Sequence, residues 1–197
     1  MVLTNKNQEK MINFLIRNFD IRNSIRQIGR KIGISAMGAQ KMLKRLEKQQ
    51  IVAAEKIGTA IYYKLNLSKR MAQKIAELVL TKYKLSPYAQ VYAENLEALK
   101  NCAKACVMYG SILAMGEQAR DVDAMVIIDR RALRKVEKEC DRISKKGTKK
   151  IHLMIQTEKD LKENIKKGDK AVLAVIRKGV VLWGEGFIVE GIKNAKS

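Results

Sequence analysis

The sequence predicts an α+β protein in which a helical N-terminal domain with one hairpin precedes an α/β domain. Apolar residues recur at helical spacing through the early part of the chain. Later in the chain, some apolar runs are short and bounded by glycine, which is typical of strands. The single proline, Pro87, lies between the two patterns. A chain of 197 residues is long enough for two cores. We therefore predict domains at 1–66 and 87–197, joined by a linking helix at 67–86.

The charge of the chain is strongly basic. It contains 40 Lys and Arg residues against 20 Asp and Glu, a formal net charge of +20. Such a surplus favours a polyanionic partner, most simply nucleic acid, although a lysine-rich surface that maintains solubility is the alternative. A hydrophobic content of 47% is that of a globular chain.

The cysteines and the apolar runs predict a cytoplasmic protein. Cys102, Cys106 and Cys140 lack paired metal-ligand spacing, so we expect free, reduced thiols. The first ten residues are polar, and we expect no signal peptide. The apolar run at 171–176 is far shorter than a membrane span, so no membrane association is expected.

Residues 1–66 read as three helices followed by a hairpin. Gly33 is suited to end the second helix and Ser35 to cap the third, over 35–49. Two short strands surround a turn near Gly58 and Thr59. Apolar residues at helical spacing mark the first two helices: Met11, Phe14, Leu15 and Phe19, then Ile25, Ile28 and Ile32.

The third helix is amphipathic, and its polar face carries residue types that bind DNA. Gln40 can read a base edge, while Lys41 and Lys44 can reach phosphates. Residues 1–66 hold 13 Lys and Arg against 4 Asp and Glu. In the third helix, the inward residues are Ala39, Met42, Leu43 and Leu46, and the outward residues are Met37, Gln40, Lys41 and Lys44.

This order of helices, turn and hairpin resembles the winged helix-turn-helix family of DNA-binding domains. The resemblance implies that 35–49 is the recognition helix and that the hairpin near 56–60, with Lys56, is the wing. Duplex DNA is then the expected partner. Winged-helix proteins are often dimers, so the resemblance is also compatible with a homodimer. A winged helix used only for protein contact or dimerisation is the alternative.

The segment at 67–86 is predicted to be helical, with Ile75, Leu78 and Val79 on its apolar side. It ends at Ser86 and Pro87, because the residue before a proline disfavours helix. A further helix from Tyr88 to about Asn101 then leads into a strand.

The stretch from Tyr109 to Asp129 carries the chemistry. Two apolar strands are joined by a short connection that contains Gly110 and Ser111, and the second strand includes Asp121 and Asp123. Residues two apart in a strand leave the same face, so these carboxylates repel each other unless a cation lies between them. Mg²⁺ takes carboxylate oxygens and keeps water and phosphate as further ligands. Solvated acids at the edge of an ordinary strand–turn–strand are the alternative.

The glycine, the serine and the paired aspartates resemble the signature of minimal nucleotidyltransferases in the polymerase-beta-like superfamily. The resemblance implies a small mixed sheet, with Gly110 and Ser111 holding the triphosphate of a nucleoside triphosphate. Asp121 and Asp123 then hold Mg²⁺. Glycine allows a close approach of the backbone to phosphate, and two metals stabilise both oxygens of an in-line displacement.

The elements after Asp129 continue the resemblance, which spans about 88–186. A basic helix at 130–147, a strand at 149–157 and two helices at 158–169 and 171–179 are predicted, the helix at 130–147 burying Leu133, Val136, Cys140 and Ile143. The segment 179–184 then matches the apolar strand and glycine turn that close the domain in this family.

His152 stands in the third strand where the family usually has an acidic residue. It could ligate a metal or act as a base, since its unperturbed pKa lies near 6.5. Alternatively, it is a polar strand-end residue in a site that has lost its chemistry. Asp129 is a poor substitute, since it lies about 20 Å along the strand from Asp123.

Two functions from different classes fit these motifs. The first is an enzyme that uses Mg²⁺ to transfer a nucleotidyl group from a nucleoside triphosphate to a hydroxyl on nucleic acid, protein or a small molecule. The second is a non-catalytic DNA-binding regulator, or antitoxin-like protein, with a degenerate nucleotidyltransferase domain. Relatives of this minimal type often pair with a small helical protein, which makes such a partner plausible for both.

Overall fold

A computed structural model describes residues 5–195 and has an α+β fold. The described residues form ten α-helices, three short 3₁₀ helices, a two-stranded sheet and a four-stranded sheet. The chain divides into two compact units, the first ending at Leu80 and the second beginning at Thr81.

The first unit is helical with one antiparallel hairpin. Its core is formed by residues such as Met11, Ile28 and Leu43, which are fully buried. The hairpin pairs Ala54 with Tyr63. In chain order the elements are α1 Lys6–Arg17, α2 Ile25–Ile32, α3 Ala36–Lys48, β1 Val52–Ile57, β2 Ala60–Leu65 and α4 Arg70–Leu80.

Local signals set the turn between α2 and α3 as the sequence predicted. Gly33 ends α2 with a left-handed φ of 78°, a conformation that favours glycine. The Ser35 hydroxyl accepts a hydrogen bond of 3.0 Å from the Gly38 backbone N–H and so caps α3. This short turn places α3 against α2, with Ala39 and Leu43 buried.

Helix α4 is shorter than the linking helix predicted at 67–86. It packs against α1 within the first unit. Ile75 and Val79 are buried as predicted, but Leu78 is 49% exposed, so its assignment to the apolar side was wrong. Residues 82–86 are outside helices and strands, and the Ser86 hydroxyl caps the next helix.

The second unit is built on a mixed sheet in the order β5-β4-β3-β6. β3 is antiparallel to both β4 and β6, while β4 and β5 are parallel. The elements are α5 Pro87–Leu96, β3 Ala105–Tyr109, α6 Ser111–Met115, β4 Asp121–Ile127, α7 Leu133–Lys146, β5 Lys150–Gln156, α8 Glu158–Lys167, α9 Lys170–Lys178, β6 Val180–Trp183 and α10 Glu185–Ala195, with 3₁₀ helices at Glu97–Asn101, Gly116–Gln118 and Arg130–Ala132.

One face of this sheet joins α5 and α7 in a common core. Val122 and Ala124 of β4 are fully buried there, with Leu96 of α5 and Val136 of α7. Because side chains alternate along a strand, the residues between them leave the opposite face. This alternation directs Asp121 and Asp123 away from the core.

Three details of the second unit differ from the sequence predictions. The connection between β3 and β4 contains the short helix α6 and a 3₁₀ turn. Leu133 is 37% exposed, so it does not belong to the buried stripe of α7. The chain after Gly184 continues as α10, whose Ile188, Val189 and Ile192 are buried.

Candidate functional site

The paired aspartates lie at the start of β4 and share one face of the sheet, as the sequence predicted. Val122 between them is fully buried, while the side chains of Asp121 and Asp123 keep 35% and 25% of their surface exposed. Both carboxylates are therefore accessible to a ligand from solvent, although their backbone is fixed by the sheet.

The parallel pairing of β4 and β5 brings His152 to the aspartates. Asp123 is the register partner of His152. The Nδ1 atom of His152 lies 3.5 Å from Oδ2 of Asp121 and 3.9 Å from Oδ1 of Asp123. The structure thus places His152 at the third position of the cluster that the sequence predicted.

The chemistry of these three side chains suits a divalent cation. One donor atom from each of Asp121, Asp123 and His152 lies within 4.8 Å of the others. Among residues 5–195 this is the one group of three or more His, Cys, Asp or Glu side chains with such spacing. Two carboxylate oxygens suit Mg²⁺ or Mn²⁺, and the added imidazole nitrogen is a ligand that transition metals such as Zn²⁺ bind well. The residues therefore fit a metal ion.

The electrostatics of the cluster disfavour the charged form of Asp123. Partial burial raises the pKa of the Asp123 carboxyl, and the negative charge of Asp121 raises it further, while His152 lowers it. A bound cation removes the repulsion between the carboxylates, so metal binding and proton release are coupled at this position.

Gly110 lies directly beside Asp123. Tyr109 is the register partner of Asp123, and Gly110 follows it with a φ of 80° and a ψ of −158°. A Cβ atom at this position would overlap Oδ2 of Asp123 and lie 3.1 Å from its Cγ. Only glycine allows this approach, and it brings half-buried Ser111 to the edge of the cluster.

Two cationic residues adjoin Asp121, one in the chain and one across the sheet, and the second was not singled out from the sequence. Arg120, which precedes Asp121, is exposed. Lys150 is exposed and is the register partner of Asp121 on the parallel strand. A basic pair, Lys149 and Lys150, just before a strand was the signal available in the sequence.

The remaining acids and thiols lie outside the cluster. Asp129 forms an ion pair of 2.6 Å with Lys104. Cys102, Cys106 and Cys140 are free, as predicted, and burial raises the pKa of the Cys106 thiol. None of them belongs to the group of Asp121, Asp123 and His152 that could hold a metal ion.

The predicted DNA-contacting residues are all exposed in the first unit. Met37 is 68% exposed, and Gln40, Lys41 and Lys44 share the solvent face of α3. Lys56 is exposed on the hairpin. On the opposite face of α3, Ala39, Leu43 and Leu46 are fully buried, whereas Met42, predicted to point inward, is half-buried.

Comparison of the chain with known family models, with curated proteins and with solved structures finds no match. Within residues 5–195, every helix falls short of the length and apolarity needed to cross a bilayer.

Proposed function

We propose that the second unit is a metal-dependent nucleotidyltransferase domain of the polymerase-beta-like type. In this proposal the oxygen of a hydroxyl acceptor loses its proton and bonds to the α-phosphorus of a nucleoside triphosphate, and pyrophosphate leaves as the α–β phosphoanhydride bond breaks. The observation that carries the proposal is the cluster of Asp121, Asp123 and His152 immediately beside Gly110. Separate parts of the sequence contribute these residues, and the sheet brings them to one edge.

Each residue has a role that follows from its position. Asp121 and Asp123 hold the metal through their carboxylates. His152 supplies the third donor, since its Nδ1 lies within 4 Å of an oxygen of each carboxylate. Gly110 and Ser111 bind the phosphates through the backbone and the hydroxyl, a use of glycine that its lack of Cβ permits. When bound, the divalent cation stabilises the charge on the transferring phosphate.

We propose that the first unit is a winged helix-turn-helix that binds duplex DNA. The support is the exposed polar face of α3, which presents Gln40, Lys41 and Lys44 together. The one acid within the hairpin strands is also paired, because Glu55 lies 3.5 Å from both Arg22 and Lys64. The surface offered to a phosphate backbone is thus basic without an opposing charge at this point.

A second candidate is a DNA-binding regulator whose nucleotidyltransferase domain no longer catalyses transfer. The observation that favours it is His152, a weaker partner for Mg²⁺ than a third carboxylate. In that case the cluster binds metal and nucleotide as a ligand, and the functional output is DNA binding or association with a small helical protein.

A transfer assay distinguishes these candidates. The full-length protein is incubated with Mg²⁺ or Mn²⁺ and α-labelled nucleoside triphosphates, and label is sought on the protein, on RNA and on co-purified protein. The enzyme proposal expects covalent label, reduced by about 10²-fold or more in both Asp121→Asn and Asp123→Asn. Metal and triphosphate binding without transfer would favour the regulator instead.

A further inference from the structure

Lys149 spans from the start of β5 to the connection that precedes β4. Its Nζ donates a hydrogen bond of 2.8 Å to the carbonyl oxygen of Glu117 and a second, shorter one to that of Ala119. Both carbonyls lie between the glycine–serine turn and Asp121. Among the described residues Lys149 forms no ion pair with an acid, so its hydrogen bonds go to the backbone of this connection.

The segment that carries Lys149 is itself anchored to α5. The ammonium group of Lys149 lies 5.2 Å from the centroid of the Tyr88 ring, within range of a cation–π interaction. The neighbouring Thr148 hydroxyl lies 3.0 Å from the Tyr92 hydroxyl and 3.4 Å from that of Tyr88. The position of Lys149 is therefore fixed by α5 as well as by the connection that it binds.

These contacts lie at the end of the sheet that carries the side-chain cluster of Asp121, Asp123 and His152. The parallel pairing of β4 and β5 begins at Asp121 and Lys150, directly after the residues that Lys149 joins. Asp121, Asp123 and His152 all lie within the first three residues of their strands. Strand ends open more readily than strand centres. The hydrogen bonds of Lys149 at this end therefore limit how far the carboxylates and the imidazole can separate.

We propose that Lys149 is a positioning residue of the metal site, holding the start of β4 in register with the start of β5. This inference rests on the proposed function, because it requires the three side chains to bind metal. Lys149 would touch neither the metal nor the nucleotide. It would act by keeping donors from two strands at the spacing that one ion needs.

Mn²⁺ titration of the full-length protein tests this role. We expect Lys149→Met to weaken Mn²⁺ binding by about tenfold or more, by analogy with residues that orient metal ligands. Lys149→Arg should recover most of the affinity, since a guanidinium can also donate to two carbonyls. Lys145→Met, which removes an exposed lysine from α7, should bind Mn²⁺ like wild type.

A double-mutant cycle with His152→Ala separates positioning from general stability. In the His152→Ala background both remaining donors are on β4, so Lys149→Met should have little further effect on Mn²⁺ affinity. Equal factors in the two backgrounds would overturn the proposal, as would wild-type affinity in Lys149→Met. If His152→Ala removes measurable binding, failure of Lys149→Arg to restore affinity overturns it. Wild-type protein that binds no Mn²⁺ would instead contradict the proposed function itself.

Discussion

Gly110 lies so close to the side chain of Asp123 that no residue with a Cβ fits at position 110 unless Asp123 moves. A Cβ atom added to Gly110 would overlap Oδ2 of Asp123, and the backbone of Gly110 has a φ of 80°. This close approach joins the glycine–serine turn to the carboxylate cluster. The turn and the carboxylates are therefore close enough for one nucleoside triphosphate to contact both the turn and a metal ion held by the carboxylates.

Gly110→Ala should therefore weaken the site. Either Asp123 must move or the backbone must carry strain that costs about 1–3 kcal/mol, so we expect Mn²⁺ affinity to fall roughly tenfold by calorimetry. Gly168→Ala is the matched control, because Gly168 also has a positive φ of 72° but open space around the added Cβ. Unchanged Mn²⁺ affinity in Gly110→Ala would mean that this approach does not matter for metal binding.

Asp123→Asn should stabilise the metal-free protein at neutral pH. Burial and the charge of Asp121 raise the pKa of Asp123 in the folded state above its unfolded value. The folded state then binds this proton more tightly, so the contribution of Asp123 to metal-free stability is fully present below its unfolded pKa and is lost as pH rises through the raised pKa. The variant lacks this loss, and it should also lose the stabilisation that Mn²⁺ gives to wild type.

Thermal unfolding with and without Mn²⁺, from about pH 4 to pH 8, measures both effects. Asp129→Asn removes a carboxylate that is paired with Lys104 instead, and it should keep the stabilisation by Mn²⁺. A lower melting temperature for metal-free Asp123→Asn at neutral pH would contradict the assigned electrostatics.

If the site binds metal as proposed, His152 should influence which metal it prefers. A site with two carboxylates and one imidazole should bind Mn²⁺ more tightly than Mg²⁺, whereas His152→Asp makes all three donors oxygen and should shift the preference toward Mg²⁺. If wild type is active, His152→Ala should reduce transfer, because it removes one of the three donors of the cluster. Parallel titrations of the two metals give the ratio, and an unchanged ratio in His152→Asp would exclude His152 as a ligand.

The lysines of α3 should control DNA affinity. Lys41→Ala with Lys44→Ala removes two phosphate contacts, so binding to duplex DNA should weaken and the slope of log affinity against log salt should flatten by about 2. Lys10→Ala on α1 is the control, since it removes an exposed lysine from a different helix. Titrations at several salt concentrations measure the slope, and an unaltered slope would remove α3 from the interface.

The sequence predicted that Asp121 and Asp123 share one face because strand periodicity is a local rule. A period of two fixes the shared face of Asp121 and Asp123, and the apolar run around His152 marks a neighbouring strand. Gly33 and Ser35 likewise predicted the end of α2 and the start of α3, since capping depends on residues close in the chain.

Contacts made by tertiary packing were not predictable in this way. Lys149 donates to carbonyls some 30 positions away, and any lysine can do so without a sequence signature. Helix α10 was missed because Gly184 and Glu185 resemble a terminal turn, whereas its helix is stabilised by burial of Ile188 and Ile192. Leu78 shows the converse, since helical spacing alone assigned an exposed residue to the core.

The most direct test of the central claim is calorimetric titration of the full-length protein with a divalent metal and a nucleoside triphosphate. The account predicts that Mn²⁺ and Mg²⁺ bind, that the triphosphate binds more tightly in their presence, and that Asp121→Asn and Asp123→Asn abolish this coupling while the fold is retained. Wild-type protein that binds neither metal nor triphosphate would contradict the account of the second unit, and only the DNA-binding proposal for the first unit would remain.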